Sequence, residues 1–385
     1  MSGAAGSRGA GSYCIEVYGC QMNQHDAEII SGIMLSAGYV QCSDPVSSDV
    51  VIVVTCAVRE HAERRALGRL SQLAGRRRGR EGSLAVCGCV AQEHGEGLLS
   101  MVEGVDFVVG PDCYTDIPSL LRLPGGSRVS LTELRGQAYD GVEPARSGFP
   151  RAYVTIMTGC DNYCSYCIVP YVRGREQSRD PGAILDEVGR LAEAGYGEIT
   201  LLGQNVNSYR SGGLVFSSLL RMVAEAALPA RVRFVTSHPR DLGEDIVAAM
   251  ADSPNVCRQL HLPLQSGDDD VLARMGRGYD TAHYTGVVRS LREAMPGIEL
   301  STDILVGFPG ETAAAFERTM GIMEEIAFDY AFLFRFSPRS GTAAAGMSDQ
   351  IPETERLRRL SLVQELQRAL TLESSRALIG STVRV

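Results

Sequence analysis

Six apolar segments of strand length recur through the second half of the chain, at residues 152–156, 198–202, 231–236, 258–262, 299–305 and 329–334. Each is followed by a polar or glycine-bearing segment and then by a stretch compatible with a helix. Strands and helices in regular alternation leave few arrangements, because parallel strands need a crossover connection that a helix supplies. The pattern predicts an incomplete (β/α)6 barrel over 149–372 rather than a closed eightfold one. The polar segments then become the loops at the carboxyl ends of the strands, where such folds assemble their chemistry. They are Cys160 to Cys167, Gly203-Gln204-Asn205, Ser237-His238-Pro239, Gln265-Ser266-Gly267, Gly307-Phe308-Pro309-Gly310-Glu311 and Ser337-Pro338-Arg339-Ser340-Gly341. Their convergence on one mouth favours an enzyme over a structural module.

A shorter series precedes it. Residues 12–18, 50–55, 84–87 and 106–109 read as strands, and 23–37 and 60–73 as helices, which predicts a small parallel α/β domain over 13–135. Residues 1–12, rich in Gly, Ser and Ala, read as a disordered leader, and 136–148 carry the Gly, Pro and Ser of a linker.

Composition narrows the class of function. With 44% hydrophobic residues in 385, the chain can bury a sizeable core. A formal net charge of −9 argues against a generally basic protein that coats nucleic acid, while leaving room for a local basic surface. All 37 cationic side chains are arginine, so a lysine Schiff base and a Walker phosphate site are excluded, whereas bidentate phosphate contacts remain open. The 11 cysteines, with no signal-peptide-like start and no long apolar run, fit a reduced, cytoplasmic compartment better than a secreted disulfide scaffold.

Cys160, Cys164 and Cys167 are separated by three and then two residues. Three soft thiolates at this spacing can hold one iron–sulfur cube at three of its four irons and leave the fourth open for chemistry. Zinc also accepts thiolates, but a structural zinc site needs a fourth ligand from elsewhere. A second set, Cys20, Cys56 and Cys89, follows three expected strands, so residues far apart in sequence can meet at one edge of the sheet. Cys87, two residues before Cys89, competes with it, and both are not expected on one cube without a turn between them. Cys14, Cys42, Cys113 and Cys257 lack a ligand pattern and read as small buried hydrophobes.

The Cys160–Cys167 triad resembles that of the radical S-adenosylmethionine (SAM) superfamily. The surroundings Gly19-Cys20-Gln21-Met22-Asn23, Thr55-Cys56-Ala57-Val58-Arg59-Glu60 and Gly88-Cys89-Val90 extend the resemblance over nearly the whole chain, to the radical-SAM methylthiotransferases. The Gln21-Met22-Asn23 version is similar to the branch acting on N6-isopentenyladenosine in tRNA. The resemblance implies two 4Fe-4S clusters, an auxiliary one on Cys20, Cys56 and Cys89 and a radical-generating one on Cys160, Cys164 and Cys167, each with one iron lacking a cysteine. It implies that one SAM supplies a methyl group and another a 5′-deoxyadenosyl radical, which removes the hydrogen at adenine C2 so that a methylated sulfur can bond there. It further implies a tRNA anticodon stem-loop as substrate, an electron donor such as flavodoxin or ferredoxin, proteins supplying sulfur and clusters, and a monomer with no membrane attachment. Methylthiolation of threonylcarbamoyl-adenosine or of a ribosomal-protein residue is the enzymatic alternative. A zinc-stabilised RNA-binding adaptor is the non-enzymatic one.

The resemblance also distributes roles around the mouth. Gln204 and Asn205, with Gly203 and Asn207, are similar to the family's SAM-side segment and either contact SAM or tie the loop. Ser237 and His238 form a rim pair, the histidine contacting SAM or substrate or serving the structure alone. Gln265 and Ser266 are candidates to orient SAM. Asp303 either supports the pocket or forms an internal cap or salt bridge. The Gly307 loop can bring backbone near adenine, while Glu311 competes as a mere helix-start acid. Tyr163 and Tyr166 either shield the radical cluster or pack its loop. Arg173, Arg175 and Arg179 are expected to engage anticodon-stem phosphates, whereas Arg64, Arg65, Arg69, Arg76, Arg77, Arg78 and Arg80 read nearly as well as a solvated face. Family members usually continue into a small β-barrel, the TRAM domain. Here 373–385 holds only what looks like its opening strand, Ile379 to Val385, so that domain is expected to be absent or truncated.

Overall fold

The computed structural model describes residues 11–382, apart from 59, 124–125, 133 and 135–138. Residues 1–10 of the expected leader, 136–138 of the expected linker and 383–385 of the expected terminal strand lie outside the described residues. Two compact units divide the chain: Met1–Cys160 with Ile168–Gln177, and Asp161–Cys167 with Ser178–Val385.

The first unit is built on a parallel sheet of β1 (Ser12–Tyr18), β2 (Val40–Gln41), β3 (Val50–Thr55), β4 (Ser83–Gly88), β5 (Phe107–Val109) and β6 (Arg128–Ser130), in the order β2-β1-β3-β4-β5-β6. Every residue of β3 is buried, which its unbroken Val-Val-Ile-Val-Val-Thr sequence requires of a central strand covered on both faces. Its alternation sends Ile52 and Val54 towards Ile30, Ile33 and Met34 of α1 (Gln21–Ser36). Val51 and Val53 go to the other face, with Leu70 and Leu73 of α2 (Glu60–Arg77). The chain moves outward from β1 to β2 and then returns to place β3 on the opposite side of β1. The gap between β1 and β3 is thus a topological switch point, the usual ligand position in such sheets. The edge strands β2 and β6, only two and three residues long, escape the sequence pattern because they are too short to show a period.

Of the six strands expected in the second half, β7 (Arg151–Thr155) belongs to the first unit, as does the short helix α4 (Val169–Arg173), after α3 (Cys89–His94). The second unit holds the other five. β8 (Glu198–Leu202) pairs in parallel with β9 (Arg231–Phe234), and β10 (Gln259–His261), β11 (Glu299–Val306) and β12 (Tyr330–Arg335) form a parallel sheet in that order. Among the described residues no ladder joins β9 to β10; β9 makes one bridge, Val232 with Val256 in the segment before β10, and the sheet is open rather than a closed barrel. Helices follow the strands as the alternation demands. Asp180, Asp268, Asp280 and Thr312 each accept a backbone N–H at the start of α5 (Pro181–Glu193), α6 (Asp269–Met275), α7 (Thr281–Ala294) and α8 (Ala313–Ile326). The final helix, α9 (Glu353–Ala377), ends in a turn, and residues 379–382 form no strand. Among the described residues no helix is long and apolar enough to cross a membrane.

Candidate active site

Each thiol of the first set stands just beyond a strand of the first unit. Cys20 caps α1 and is held from both ends by Asn23, whose Oδ1 accepts the Cys20 N–H at 3.2 Å and the thiol at 3.4 Å. A Cβ on Gly19 would lie 2.6 Å from the Cys56 Cβ, so the glycine is what lets the two loops close on each other. The hydrogen bond from Cys56 lowers the Cys20 pKa, against the opposing effect of burial. Cys89 opens α3 directly after Gly88, which sits at φ +93° with the space for a Cβ filled 2.7 Å away by the Thr55 carbonyl. Cys87 faces the opposite side, in the core with Val54 and Val109, where burial raises its thiol pKa. The separation comes from the break at Gly88, which ends β4 and turns the chain into α3; on an unbroken strand residues two apart would share a face.

A cation completes this group. Arg173, at the end of α4, donates from Nε to the Cys89 Sγ at 3.2 Å and turns both terminal nitrogens onto the carboxylate of Asp26 on α1, with Nη1 to Oδ1 at 3.3 Å. Arg173 is only 6% exposed and Asp26 4%. Three thiols from neighbouring strand ends, with a buried guanidinium beside one of them, suit an anionic thiolate-bound iron–sulfur group. Cys14 and Cys113 are buried as expected, whereas Cys42 and Cys257 are partly exposed.

Of the second set, Cys160 belongs to the first unit and Cys164 and Cys167 to the second. The Cys160 N–H donates to the Gly174 carbonyl at 3.1 Å. Gly159, at φ +77°, is so close to the Arg175 carbonyl that a Cβ would lie 2.0 Å from its oxygen. In the second unit, the Cys167 N–H donates to the Cys164 carbonyl at 2.9 Å. Arg277 donates from Nη1 to the buried Cys164 Sγ at 3.4 Å and to the Tyr166 hydroxyl at 3.5 Å, and from Nη2 to the Pro263 carbonyl at 3.2 Å. Arg277 was not among the expected site residues; its signal is a lone arginine between Gly276 and Gly278, both at φ +70°, next to an aromatic. Tyr166 packs against the cluster containing Phe308 and Phe336, while Tyr163 is exposed.

Beyond β8 and β9 lies an unusual concentration of unmet polarity. Gln204 Oε1, Asn205 Oδ1, Asn207 Nδ2, Ser237 Oγ and His238 Nε2 are buried without a hydrogen-bond partner among the described residues. Leaving a buried polar atom unpaired costs roughly 1–3 kcal/mol, so five on two adjacent loops mark a place built for a polar ligand. The remaining polar atoms tie these loops down: Asn205 Nδ2 donates to Asp241 Oδ2 at 2.7 Å, and Asn207 Oδ1 accepts the His238 N–H at 2.9 Å. Burial, then the charges of Arg277 and Arg240, lower the His238 pKa to about 2, so the ring is neutral. Its Nδ1 accepts the Arg240 N–H at 3.3 Å, which assigns the proton to Nε2 and makes that atom a donor.

The other expected contacts are largely engaged within the fold. Gln265, at φ +70°, extends the sheet through its backbone, its N–H donating to the Asp303 carbonyl at 2.8 Å. Ser266 Oγ accepts the Asp268 N–H at 3.3 Å, and Asp303 pairs with His261 at 3.4 Å. The Gly307 N–H donates to Glu311 Oε2 at 3.0 Å. Glu311 is buried, and Arg359 of α9 donates to its Oε1 at 2.5 Å and its carbonyl at 2.9 Å. It is a loop anchor rather than a helix-start acid.

Two of the three arginines expected at phosphates are engaged within the fold. Arg173 is enclosed with Asp26, and Arg179 is buried against Glu187 with Nη1 to Oε2 at 2.9 Å, so neither guanidinium is presented to a large anion. Arg175 is exposed. In the basic interval, Arg77 is buried on the carbonyls of Pro45 and Ser48, and Arg69 pairs with Glu16 at 2.6 Å.

Comparison with known proteins gives this geometry its family. Residues 154–322 match the family model described as the radical SAM superfamily, and residues 12–110 that described as uncharacterized protein family UPF0004. The chain is 42% identical over 379 residues to the tRNA-2-methylthio-N(6)-dimethylallyladenosine synthase of Chlorobium phaeobacteroides (strain BS1), covering 96% of this chain and 84% of that one. It is 43% identical over 375 residues to the synthase of the same name from Geobacter sulfurreducens, covering 95% and 84%. Among solved structures it is similar to the radical S-adenosylmethionine methyltransferase TsrM from Kitasatospora setae, with a TM-score of 0.65 at 15% identity over 87% of this chain and 74% of that one. That likeness is one of fold alone. With identity at this level running through both units, the chain belongs to the radical-SAM tRNA methylthiotransferases, in the tRNA-2-methylthio-N(6)-dimethylallyladenosine synthase family.

Proposed function

We propose that the chain carries two 4Fe-4S clusters and uses them to place a methylthio group on C2 of N6-isopentenyladenosine beside the anticodon of tRNA, dimethylallyl being another name for isopentenyl. The observation that carries this reading is the presence of two thiol sets, each with its own buried arginine donating to a cysteine sulfur. Cys20, Cys56 and Cys89 hold the auxiliary cluster; Cys160, Cys164 and Cys167 hold the other. When bound and reduced, these groups supply a deoxyadenosyl radical from one SAM and the sulfur that a second SAM methylates.

The chain's own side chains bind and orient. His238 donates from Nε2, and Gln204 and Asn205 accept, where the ribose and amino-acid groups of SAM need partners. Ser237 adds a hydroxyl to the same wall. Gln265, Ser266, Asp303 and Gly307 act one step away, by holding the loops in place. Arg175 is the member of the expected trio left to meet an anticodon-stem phosphate. The methylthiotransferase domain spans 13–135 and the radical-SAM domain 149–372, working in the cytoplasm as a monomer. Flavodoxin or ferredoxin supplies electrons, and cluster-assembly proteins replace the sulfur.

The test is anaerobic reconstitution with iron and sulfide, reduction by dithionite, and mass spectrometry of nucleosides from tRNA with and without the isopentenyl group. A methylthio increment on the isopentenylated nucleoside is expected, with methionine, 5′-deoxyadenosine and S-adenosylhomocysteine formed alongside. SAM cleavage without that increment would reject the assignment.

A further inference from the structure

We propose that Arg173 is a positioning residue that sets the reduction potential of the group held by Cys20, Cys56 and Cys89, and that Asp26 tunes how strongly it does so. The inference rests on the reading of those cysteines as cluster ligands and goes beyond it.

Arg173 lies between two anionic partners. Its Nε points at the Cys89 sulfur, and the opposite edge of the guanidinium grips Asp26 with both terminal nitrogens. Only a planar fork with donors on two edges can serve both at once, which a single ammonium cannot. The pair is almost wholly enclosed, and in such surroundings a charge acts more strongly than in water. Asn23 donates to Asp26 as well, Nδ2 to Oδ2 at 3.4 Å, and its Oδ1 meets Cys20. One hydrogen-bonded chain therefore runs from the Cys20 thiol through Asn23, Asp26 and Arg173 to the Cys89 thiol.

A positive charge beside a ligand sulfur stabilises the more negative, reduced state and so raises the potential; net charge and hydrogen bonds to sulfur are established determinants of it. The Asp26 carboxylate offsets part of that charge. Removing Arg173 and removing Asp26 must then shift the potential in opposite directions, which a merely structural role would not do.

The experiment uses the full chain with Cys160, Cys164 and Cys167 all replaced by Ala, so that one cluster remains, reduced by one electron from dithionite and followed by redox titration with electron paramagnetic resonance. Arg173→Gln is expected to disfavour reduction at least tenfold, about 59 mV downward for a one-electron couple. Asp26→Asn is expected to shift it upward by a smaller factor. A loaded Arg173→Gln cluster with unchanged potential overturns the proposal, as do shifts of the same sign in both variants. Should Arg173→Gln fail to load, Asp26→Asn decides: an upward shift supports the proposal and an unchanged or lowered potential overturns it. Failure of the parent triple variant to bind about four irons per chain removes the cluster assignment itself.

Discussion

The two cysteine sites share a motif and differ in its electrostatics. In the first unit the arginine beside the thiol is shared with a buried carboxylate; in the second, Arg277 meets Cys164, three oxygens that carry no formal charge, and the face of the Tyr279 ring. Among the described residues the hydrogen-bond partners of Arg277 are Cys164, Tyr166, Tyr279 and the Pro263 carbonyl, with no carboxylate among them. A cluster near Arg173 therefore meets a partly neutralised pair, and one near Arg277 a less compensated positive charge. Among the described residues, the second unit also keeps five buried polar atoms without a hydrogen-bond partner on its β8 and β9 loops. On the function proposed above, the difference is between a site that retains a group and one that receives a ligand repeatedly.

The largest effects come from the thiols. Cys164→Ala should abolish both 5′-deoxyadenosine formation and the methylthio product. Cys56→Ala should abolish only the product and keep SAM cleavage; equal loss of cleavage in both, read by chromatography, would break the division of labour. Next is Arg359→Ala, which leaves Glu311 buried without its cation and should cost about 3–5 kcal/mol in urea unfolding. Burial already raises the folded-state pKa of Glu311, so the folded chain binds this proton more tightly than the unfolded chain. Its stabilising contribution is therefore greatest below the ordinary carboxylate value and is lost as pH rises through the raised one. The deficit of Arg359→Ala should accordingly be larger at neutral pH than near about pH 4; a pH-independent deficit would show that Glu311 is not the cause.

A smaller effect sharpens the electrostatic contrast. Arg277→Gln should lower the potential of the Cys160–Cys164–Cys167 cluster by more than Arg173→Gln lowers the other, because no carboxylate shares its charge; redox titration of variants loading one cluster each measures both. The smallest expected change is in His238→Ala, weakening SAM binding by about 1 kcal/mol through loss of one Nε2 donor. Equilibrium binding should show it, with the melting temperature little altered.

What could be read from sequence followed from local pattern. The alternation along 50–55 set which residues of β3 face each helix layer, and the polar segments after 198–202 and 231–236 marked the loops that bear the unpaired atoms. The arginines could not be read this way. Arg173 follows the radical-cluster cysteines by a few residues, so sequence proximity suggested a surface role, yet its partner Asp26 is 147 residues away. Arg179 fails for the complementary reason: its partner, Glu187, is near in sequence, but nothing local says that the pair is buried. Charge type is local information, whereas the environment that decides its use comes from tertiary packing.

The excursion of the chain at Cys160 has a consequence for how the protein can be made. The first unit is not a contiguous stretch of polypeptide, because Ile168 and Val172 fill its core beside Val86 and Val90 after the intervening segment Asp161–Cys167 has gone to the other unit. A ribosome that has synthesised only as far as the linker has not yet supplied those two side chains, each worth about 1.5–3 kcal/mol of burial, nor the cation that meets Cys89. Completion of the first unit thus waits until translation has passed all six cysteines of the two sets, and a fragment cut at the linker would carry three of them in an unfinished core.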